Sequence, residues 1–182
     1  MNRAVKFRLK NGKIVTIRPV RKNDYEDVVR FHNKFLSGDG VKFTTQYPGQ
    51  PKMNKDSFAA LYENPNNFFI GAWYNNEMIG EADIQKQKPN HPHFQGMTGV
   101  VGTFVLDKFT SCGLGGKFLQ ILEKWAMENN VHRLEAKVRH TNIRSLGNLI
   151  KNGYEISGVK HEYAFINGKW FHQYELEKII RK

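Results

Sequence analysis

The spacing of apolar and polar residues divides the first half of the chain into strands, tight turns and two helices. Short runs rich in apolar and β-branched residues predict five strands, over residues 5–9, 14–20, 68–74, 77–84 and 98–106. Tight hairpin turns are predicted at Asn11-Gly12 and Asn75-Asn76. Apolar residues at helical spacing predict a first helix that Asn23 caps and a second, over residues 55–62, that Asn54 caps.

The second half of the chain contains the clearest helix. Five apolar residues share one face of a helix over residues 113–129, namely Leu114, Phe118, Ile121, Leu122 and Trp125. A strand over residues 133–139, a helix over 143–151 and a hairpin over 154–176 follow. The order hairpin, two helices, three strands, helix, strand, helix, two strands is typical of an α/β domain with a mixed sheet. The whole chain, residues 1–182, is predicted to form this single domain.

Composition narrows the class of protein. The chain is 40% hydrophobic and 25% charged, which is typical of a globular protein. Its formal net charge of +11 suits an anionic partner, such as a phosphate-bearing cofactor, or a lysine-rich solvated surface. No run of five or six basic residues occurs, so a nucleic-acid partner is not favoured. No apolar run approaches the ~20 residues of a membrane span, and residues 1–13 do not resemble a secretory signal. We therefore expect a cytoplasmic protein outside the membrane.

A glycine-rich turn joins a predicted strand to the clearest helix, in the sequence Cys112-Gly113-Leu114-Gly115-Gly116. The first amides of a helix have no partner within it, and glycines let phosphate oxygens approach them. The pattern lacks the Gly-Lys-Ser/Thr of a P-loop, and it is not the Gly-x-Gly-x-x-Gly of a dinucleotide fold. The turn therefore predicts either a phosphate site or a bend that only permits close packing between strand and helix.

Residues 105–119 resemble the central motif of the GNAT superfamily of N-acetyltransferases, in which Arg/Gln-x-x-Gly-x-Gly/Ala opens a helix after a strand. Gly113 and Gly115 match the motif, and the resemblance extends over residues 100–176 in the right order. It implies an α/β (α+β) domain with a mixed central sheet of about seven strands flanked by about four helices. It also implies transfer of an acetyl group from acetyl-CoA to a primary amine of a small molecule or a protein N-terminus, by direct attack on the thioester.

The same resemblance implies which residues hold acetyl-CoA. The pantetheine arm would pair with the strand that precedes the motif, at Thr103, Phe104 and Val105. The pyrophosphate would lie on the turn formed by Ser111, Cys112, Gly113, Leu114, Gly115 and Gly116. Asn142 would contact the cofactor or its thioester end. Because Thr110 stands where the family has Arg or Gln, we expect pyrophosphate binding to depend more on backbone amides, or on Lys108 or Lys117.

Two positions depart from the chemistry that the family commonly uses. Leu149 stands where many members have a tyrosine acid, and Val100 stands where many have a glutamate base. The candidate bases are then Glu81, on a neighbouring strand, and His140, because histidine ordinarily changes charge near neutral pH. Cys112 is interpreted as a position that supplies its N–H rather than as a nucleophile.

Several alternatives stay open from the sequence. The departures at Val100 and Leu149 favour, as the alternative, a catalytically silent CoA-binding or sensing module. Protein N-termini, polyamines, amino acids and aminoglycosides all remain candidate acceptors, and a homodimer is left open. His91 and His93 lie two residues apart without an evident third ligand, so no metal is expected.

Overall fold

Eight strands and four α-helices make up the part of the chain that the computed structural model describes, residues 4–38, 53–87 and 97–181. The strands are β1 (Val5–Arg8), β2 (Ile14–Pro19), β3 (Asn67–Tyr74), β4 (Glu77–Gln87), β5 (Thr98–Val105), β6 (Arg133–Arg139), β7 (Glu155–Ile166) and β8 (Lys169–Ile179). The helices are α1 (Tyr25–Ser37), α2 (Lys55–Tyr62), α3 (Leu114–Glu128) and α4 (Ile143–Lys151).

All eight strands form one mixed sheet, in the order β1-β2-β3-β4-β5-β6-β8-β7. Every neighbouring pair is antiparallel except β5 and β6, which are parallel. The predicted α/β class with a mixed sheet and four helices is therefore confirmed. The sheet has one strand more than the expected number of about seven, because both strands of the N-terminal hairpin join it at the edge beyond β3.

The predicted turns and caps agree with the structure at all but two places. At Asn11-Gly12 only Gly12 has a positive φ, of 83°, and the bond from Leu9 N–H to the Lys13 carbonyl closes a three-residue loop rather than a two-residue turn. Asn75 and Asn76 have φ angles of 49° and 60°, as a type I′ turn requires. The Asn54 side chain caps α2 by accepting the Ser57 N–H at 2.8 Å. The prediction that Asn23 caps α1 is wrong, because residues 22–24 form a 3₁₀ turn and the helix begins one residue after Asp24. The Asp24 carboxylate fixes this turn by accepting N–H groups from Arg18 and Arg21.

Helices cover both faces of the sheet and enclose two apolar cores. On one face, α3 buries the predicted stripe, including Leu114, Phe118 and Leu122, against the sheet. On the other, Phe31 of α1 and Phe58 of α2 pack with Trp73. None of the described helices combines the length and the apolar character needed to cross a bilayer.

The parallel strands β5 and β6 separate along their length, and this separation positions the site. They pair only from Thr98 with Arg133 to Val100 with Glu135. Beyond Val100, β5 keeps its pairing with β4 and β6 keeps its pairing with β8. Residues 102–105 of β5 are consequently only half-buried. A cleft opens along this edge of β5.

Candidate active site

The cleft between β5 and β6 has a volume of about 470 Å³ and is lined from both faces of the sheet. Asp83, Gln85 and Phe104 line it on the face that carries α1 and α2. Leu119 of α3 and Leu149 of α4 line it on the opposite face. The cleft therefore leads through the sheet, so that molecules bound on opposite faces can meet within it.

A second cavity, of about 550 Å³, adjoins the cleft at the start of α3. Its walls are the glycine-rich turn and α4, and it shares Phe35, Thr103, Asn142 and Ser145 with the cleft. Lys10, Arg144 and Lys151 give it a basic lining. An elongated anionic molecule can thus lie along the turn and extend one end into the cleft.

The glycine-rich turn presents a set of unpaired amides to this second cavity. Among the described residues, no protein acceptor takes a hydrogen bond from the N–H groups of residues 111–116. Ser111 and Gly113 both adopt left-handed backbone, with φ angles of 58° and 89°. Successive N–H groups in such a turn, at the start of a 15-residue helix, form a concave site for an anion. This geometry fits the pyrophosphate of CoA.

The glycines of the turn serve two purposes. A Cβ on Gly113 would meet nothing closer than 3.8 Å, so this glycine is required for its left-handed backbone. A Cβ on Gly115 or Gly116 would lie 3.1 or 3.3 Å from the Asn148 side chain, so these two glycines allow α3 and α4 to approach closely. The close packing that the glycines permit joins two helices rather than the predicted strand and helix, and the phosphate site stays a prediction.

Lys10 is a basic residue of this site that sequence reasoning missed. Its backbone N–H donates to the Cys112 carbonyl at 3.0 Å, and its side-chain carbons lie 3.8 Å from where a Gly113 Cβ would stand. The expected substitutes, Lys108 and Lys117, do not line the cavity, and the Lys117 ammonium lies 5.8 Å from the centroid of a phenyl ring on β1. The hairpin of β1 and β2 brings Lys10 to the turn from about a hundred residues away, which no local motif reveals.

Two of the predicted site residues, Asn142 and Glu81, have defined hydrogen-bond partners. Asn142 caps α4, because its Oδ1 accepts the Ser145 N–H at 3.1 Å, and it lies where the two cavities meet. Glu81 is only 2% exposed. Its Oε1 accepts the Tyr62 hydroxyl at 2.7 Å, and its Oε2 lies 2.8 Å from His32 Nε2. Glu81 is therefore enclosed behind the cleft rather than exposed in its wall.

Among the described residues, Asp83 is the carboxylate that lines the cleft. It lies two residues after Glu81 on the same face of β4 and is 7% exposed. Burial raises its pKa to about 6, with a further contribution from the charge of Glu81, although the Gln85 amide opposes the rise by donating at 2.9 Å. A Cβ on Gly102 would lie 2.5 Å from Asp83 Oδ1, so this glycine makes room for the carboxylate. Asp83 can exchange a proton near neutral pH.

His140 lies next to the cleft, with one ring nitrogen already engaged. Its Nδ1 accepts the backbone N–H of His172 at 3.0 Å, which leaves the proton of the neutral ring on Nε2. His172 lines the cleft itself, and its Nδ1 accepts the Glu162 N–H at 2.9 Å. In these tautomers both rings donate through Nε2, so neither offers a nitrogen base to the cleft.

Comparison with known proteins decides the family. A family model for the acetyltransferase (GNAT) domain matches residues 17–174. The chain belongs to the GNAT acetyltransferase family. Among curated proteins, none matches the sequence significantly.

Solved GNAT structures share the fold across nearly the whole chain. A GNAT acetyltransferase from Streptococcus pneumoniae has 21% sequence identity, covers 91% of this chain and 99% of its own, and superposes with a TM-score of 0.80. The ribosomal-protein-alanine N-acetyltransferase of Brucella melitensis has 20% identity, with coverages of 90% and 99% and a TM-score of 0.73. The yncA structure from Salmonella typhimurium, which holds its cofactor acetyl-CoA, has 18% identity, coverages of 92% and 95% and a TM-score of 0.76.

The structure shows the surroundings of the residues at which this GNAT chain differs from the family pattern. Leu149 is buried and brings no hydroxyl to the cleft, while the half-exposed Tyr163 of β7 lies in its wall. The Thr110 hydroxyl donates to the Asp107 carbonyl at 2.8 Å. Cys112 is a free, half-buried thiol that packs against the core. His91 and His93 lie outside the described residues, and within those residues no three metal-ligating side chains are grouped to hold an ion.

Proposed function

We propose that this GNAT protein transfers an acetyl group from acetyl-CoA to a primary amine of a small molecule or a protein N-terminus by direct attack on the thioester. The observation that carries the proposal is the position of Asp83. This carboxylate lines a cleft that crosses the sheet and continues into a cavity of unpaired amides. One end of the combined space suits pyrophosphate, and the other end offers a base.

Acetyl-CoA would be held by the residues that the sequence indicated, with Lys10 added. The amides of residues 111–116 and the Lys10 ammonium would bind the pyrophosphate. Among the described strands, none pairs with the β6 side of β5 over residues 103–105, and this edge would pair with the pantetheine arm. Asn142, at the junction of the two cavities, keeps its side-chain N–H₂ for the cofactor. Bound acetyl-CoA supplies an activated acetyl thioester.

Asp83 would act as the general base. A primary amine of pKa near 10 is mostly protonated at neutral pH and must lose a proton before it can attack. With a pKa of about 6, the Asp83 carboxylate is mostly ionised at pH 7 and can accept that proton. Glu81 would instead be a positioning residue, because its contacts with Tyr62 of α2 and His32 of α1 hold both helices against β4, the strand that carries Asp83.

Departure of the thiolate does not require the absent tyrosine. A CoA thiol has an acidity close to that of cysteine, with a pKa of about 8.5, so the thiolate is a tolerable leaving group. The buried Leu149 is nevertheless the observation that favours the second candidate, a catalytically silent CoA-binding or sensing module.

Turnover and binding distinguish these two functions. Release of CoA from acetyl-CoA would be measured with a panel of amines that includes amino acids, polyamines, aminoglycosides and peptides, alongside calorimetric titration of CoA. We expect binding and turnover. Tight CoA binding without turnover of any amine would support the silent module and contradict the proposed reaction, and absence of CoA binding would contradict both functions.

Two further predictions belong to this proposal. A cytoplasmic location is proposed because acetyl-CoA must be available as cosubstrate. The homodimer stays a prediction, to be tested by sedimentation velocity. Apolar side chains that such an interface could cover are exposed on the closing hairpin, namely Ile156, Val159, Phe165 and Trp170.

A further inference from the structure

The wall of the cleft opposite Asp83 is basic. Ala136 and Val138 of β6 are buried in the core with α3. The alternate residues, Lys137 and Arg139, therefore lie on the other face, which is the face of Asp83, and both line the cleft. One end of the space on this face thus carries a carboxylate, and the other carries two cations.

The acidic residue beside Lys137 forms its ion pair with another cation. Glu175 of β8 lies opposite Lys137 in the strand register. Its carboxylate pairs with Lys160 of β7 at 2.8 Å, and this hydrogen bond is the main reason why its pKa is lowered. No described carboxylate oxygen lies within 4 Å of the Lys137 ammonium. Burial lowers the pKa of Arg139, which shows that its guanidinium is partly removed from water. The cleft therefore holds the Lys137 ammonium, which has no carboxylate within 4 Å among the described residues.

Gln173 gives a second, independent sign of a ligand in the same wall. It lies opposite Arg139 in the register of β6 and β8, lines the cleft and is only 9% exposed. Its Nε2 is buried without a hydrogen-bond partner among the described residues. A buried donor without an acceptor is unfavourable, and rotation of the amide toward a cleft-bound oxygen would satisfy it.

We propose that the acetyl acceptor is a small amino acid-like molecule, with its carboxylate or similar oxyanion held by Arg139, Lys137 and Gln173 and its amine directed at Asp83. This inference rests on the proposed function and names the substrate class of the same site. The arrangement matches a molecule with opposite charges at its two ends. It disfavours polyamines, because their second cation would face Lys137 and Arg139.

The test compares matched amines. Each L-amino acid is assayed for acetylation together with its carboxamide and its decarboxylated amine, which keep the reacting amine but lack the anion. For the preferred amino acid, we expect kcat/KM to exceed that of both partners by about tenfold or more. Lys137→Gln combined with Arg139→Gln should reduce this preference to within about twofold, mainly through KM. Lys124→Gln, on the exposed surface of α3, is the matched control and should keep it.

Inhibition by the acetylated product tests the inference independently of which amine is turned over fastest. The N-acetyl amino acid should inhibit the wild-type enzyme about tenfold more strongly than its amide, and the double variant should lose this difference while its melting temperature shows that it is folded. Equal turnover of the three matched compounds, or preferred turnover of polyamines, would overturn the inference and leave the acetyltransferase proposal standing. Turnover of no amine at all would overturn both.

Discussion

Replacement of Asp83 by asparagine removes the proposed proton acceptor from the cleft and leaves the shape of the cleft nearly unchanged. Asparagine has nearly the same shape, and its Oδ1 can still accept the Gln85 amide that Asp83 now accepts at 2.9 Å. It cannot take a proton from an ammonium group. Because general base catalysis typically contributes 10²–10⁴-fold, we expect kcat/KM to fall by roughly 10²-fold or more while CoA affinity stays unchanged.

The pH dependence gives the prediction a second readout. The pKa of Asp83 is about 6, so the carboxylate is about nine-tenths ionised at pH 7 and mostly protonated at pH 5. The wild-type kcat/KM should therefore rise about tenfold between pH 5 and pH 7. The asparagine variant should lack this rise, because the carboxylate whose ionisation provides the base is then missing.

The same substitution should stabilise the fold. Burial raises the Asp83 pKa from its ordinary value of 3.8 to about 6, so the folded state keeps this proton over a range in which the unfolded state loses it. The stability associated with the neutral form is present below about pH 4 and is lost as the pH rises to about 6. A tenfold change in an ionisation constant corresponds to about 1.4 kcal/mol, so the ionised group costs up to roughly 3 kcal/mol at pH 7.

Urea unfolding at pH 7 and CoA release in steady state test these expectations together. Asp56→Asn, on the exposed first turn of α2, removes the same charge away from the cleft and should change neither quantity. A variant that is more stable but much less active would show that the carboxylate is retained for its chemistry. Asp83 would not be the base if the Asp83→Asn variant kept more than about a third of the wild-type kcat/KM and still showed the rise in kcat/KM between pH 5 and pH 7.

Three further variants test the rest of the site. Valine at both Gly113 and Gly115 should weaken CoA binding at least about tenfold, or about 1.4 kcal/mol, by calorimetry, because Gly113 needs left-handed backbone and Gly115 lies against α4. Lys10→Gln should weaken CoA binding roughly threefold to tenfold and reduce its salt dependence, because one phosphate contact is lost. Tyr62→Phe should lower the free energy of unfolding by about 1–3 kcal/mol in urea, since the buried Glu81 loses its hydroxyl donor.

Each of these substitutions has a control in the same chain. Alanine at Gly158 of β7, which lines neither cavity, would meet nothing closer than 3.8 Å and should leave CoA binding intact. Lys124→Gln removes an exposed cation from α3, and Tyr163→Phe removes a half-exposed hydroxyl. Unchanged CoA affinity in a folded glycine double variant would contradict the phosphate assignment. An unaltered salt dependence would contradict the role of Lys10, and equal stability losses at Tyr62 and Tyr163 would contradict a special contact with Glu81.

The elements that the sequence predicted well are those governed by local physics. The apolar stripe of α3, the strict alternation of β6 and the Asn75-Asn76 turn each depend on residues within a few positions of one another. The start of α1 was misplaced because Asp24 takes its partners partly from β2, where Arg18 reaches it across the turn. Local capping preference for Asn23 could not foresee that pairing.

For a similar reason, the sequence indicated the part of the candidate site that is continuous in the chain and missed the residues that are distant in the chain. The glycine-rich turn is one continuous segment, so its residues could be found together. Lys10, Asp83 and Gln173 meet the site only through the order of strands in the sheet. Glu81 was a predicted candidate base, whereas Asp83, two residues further along β4, was not considered. Alternation along β4 places both acids on one face, but only the packing of α1 and α2 decides which of them is covered.

The division between these two acids also explains why a buried strand carries both. Glu81 has a hydroxyl and an imidazole as partners, so its contacts hold the helices and leave no free oxygen for a substrate. Asp83 has one amide partner and an open side toward the cleft, so it stays desolvated and incompletely paired until an amine arrives. An ammonium group would satisfy that carboxylate best and would also surrender its proton to it. The same incomplete pairing that destabilises the fold thus binds and activates the acceptor.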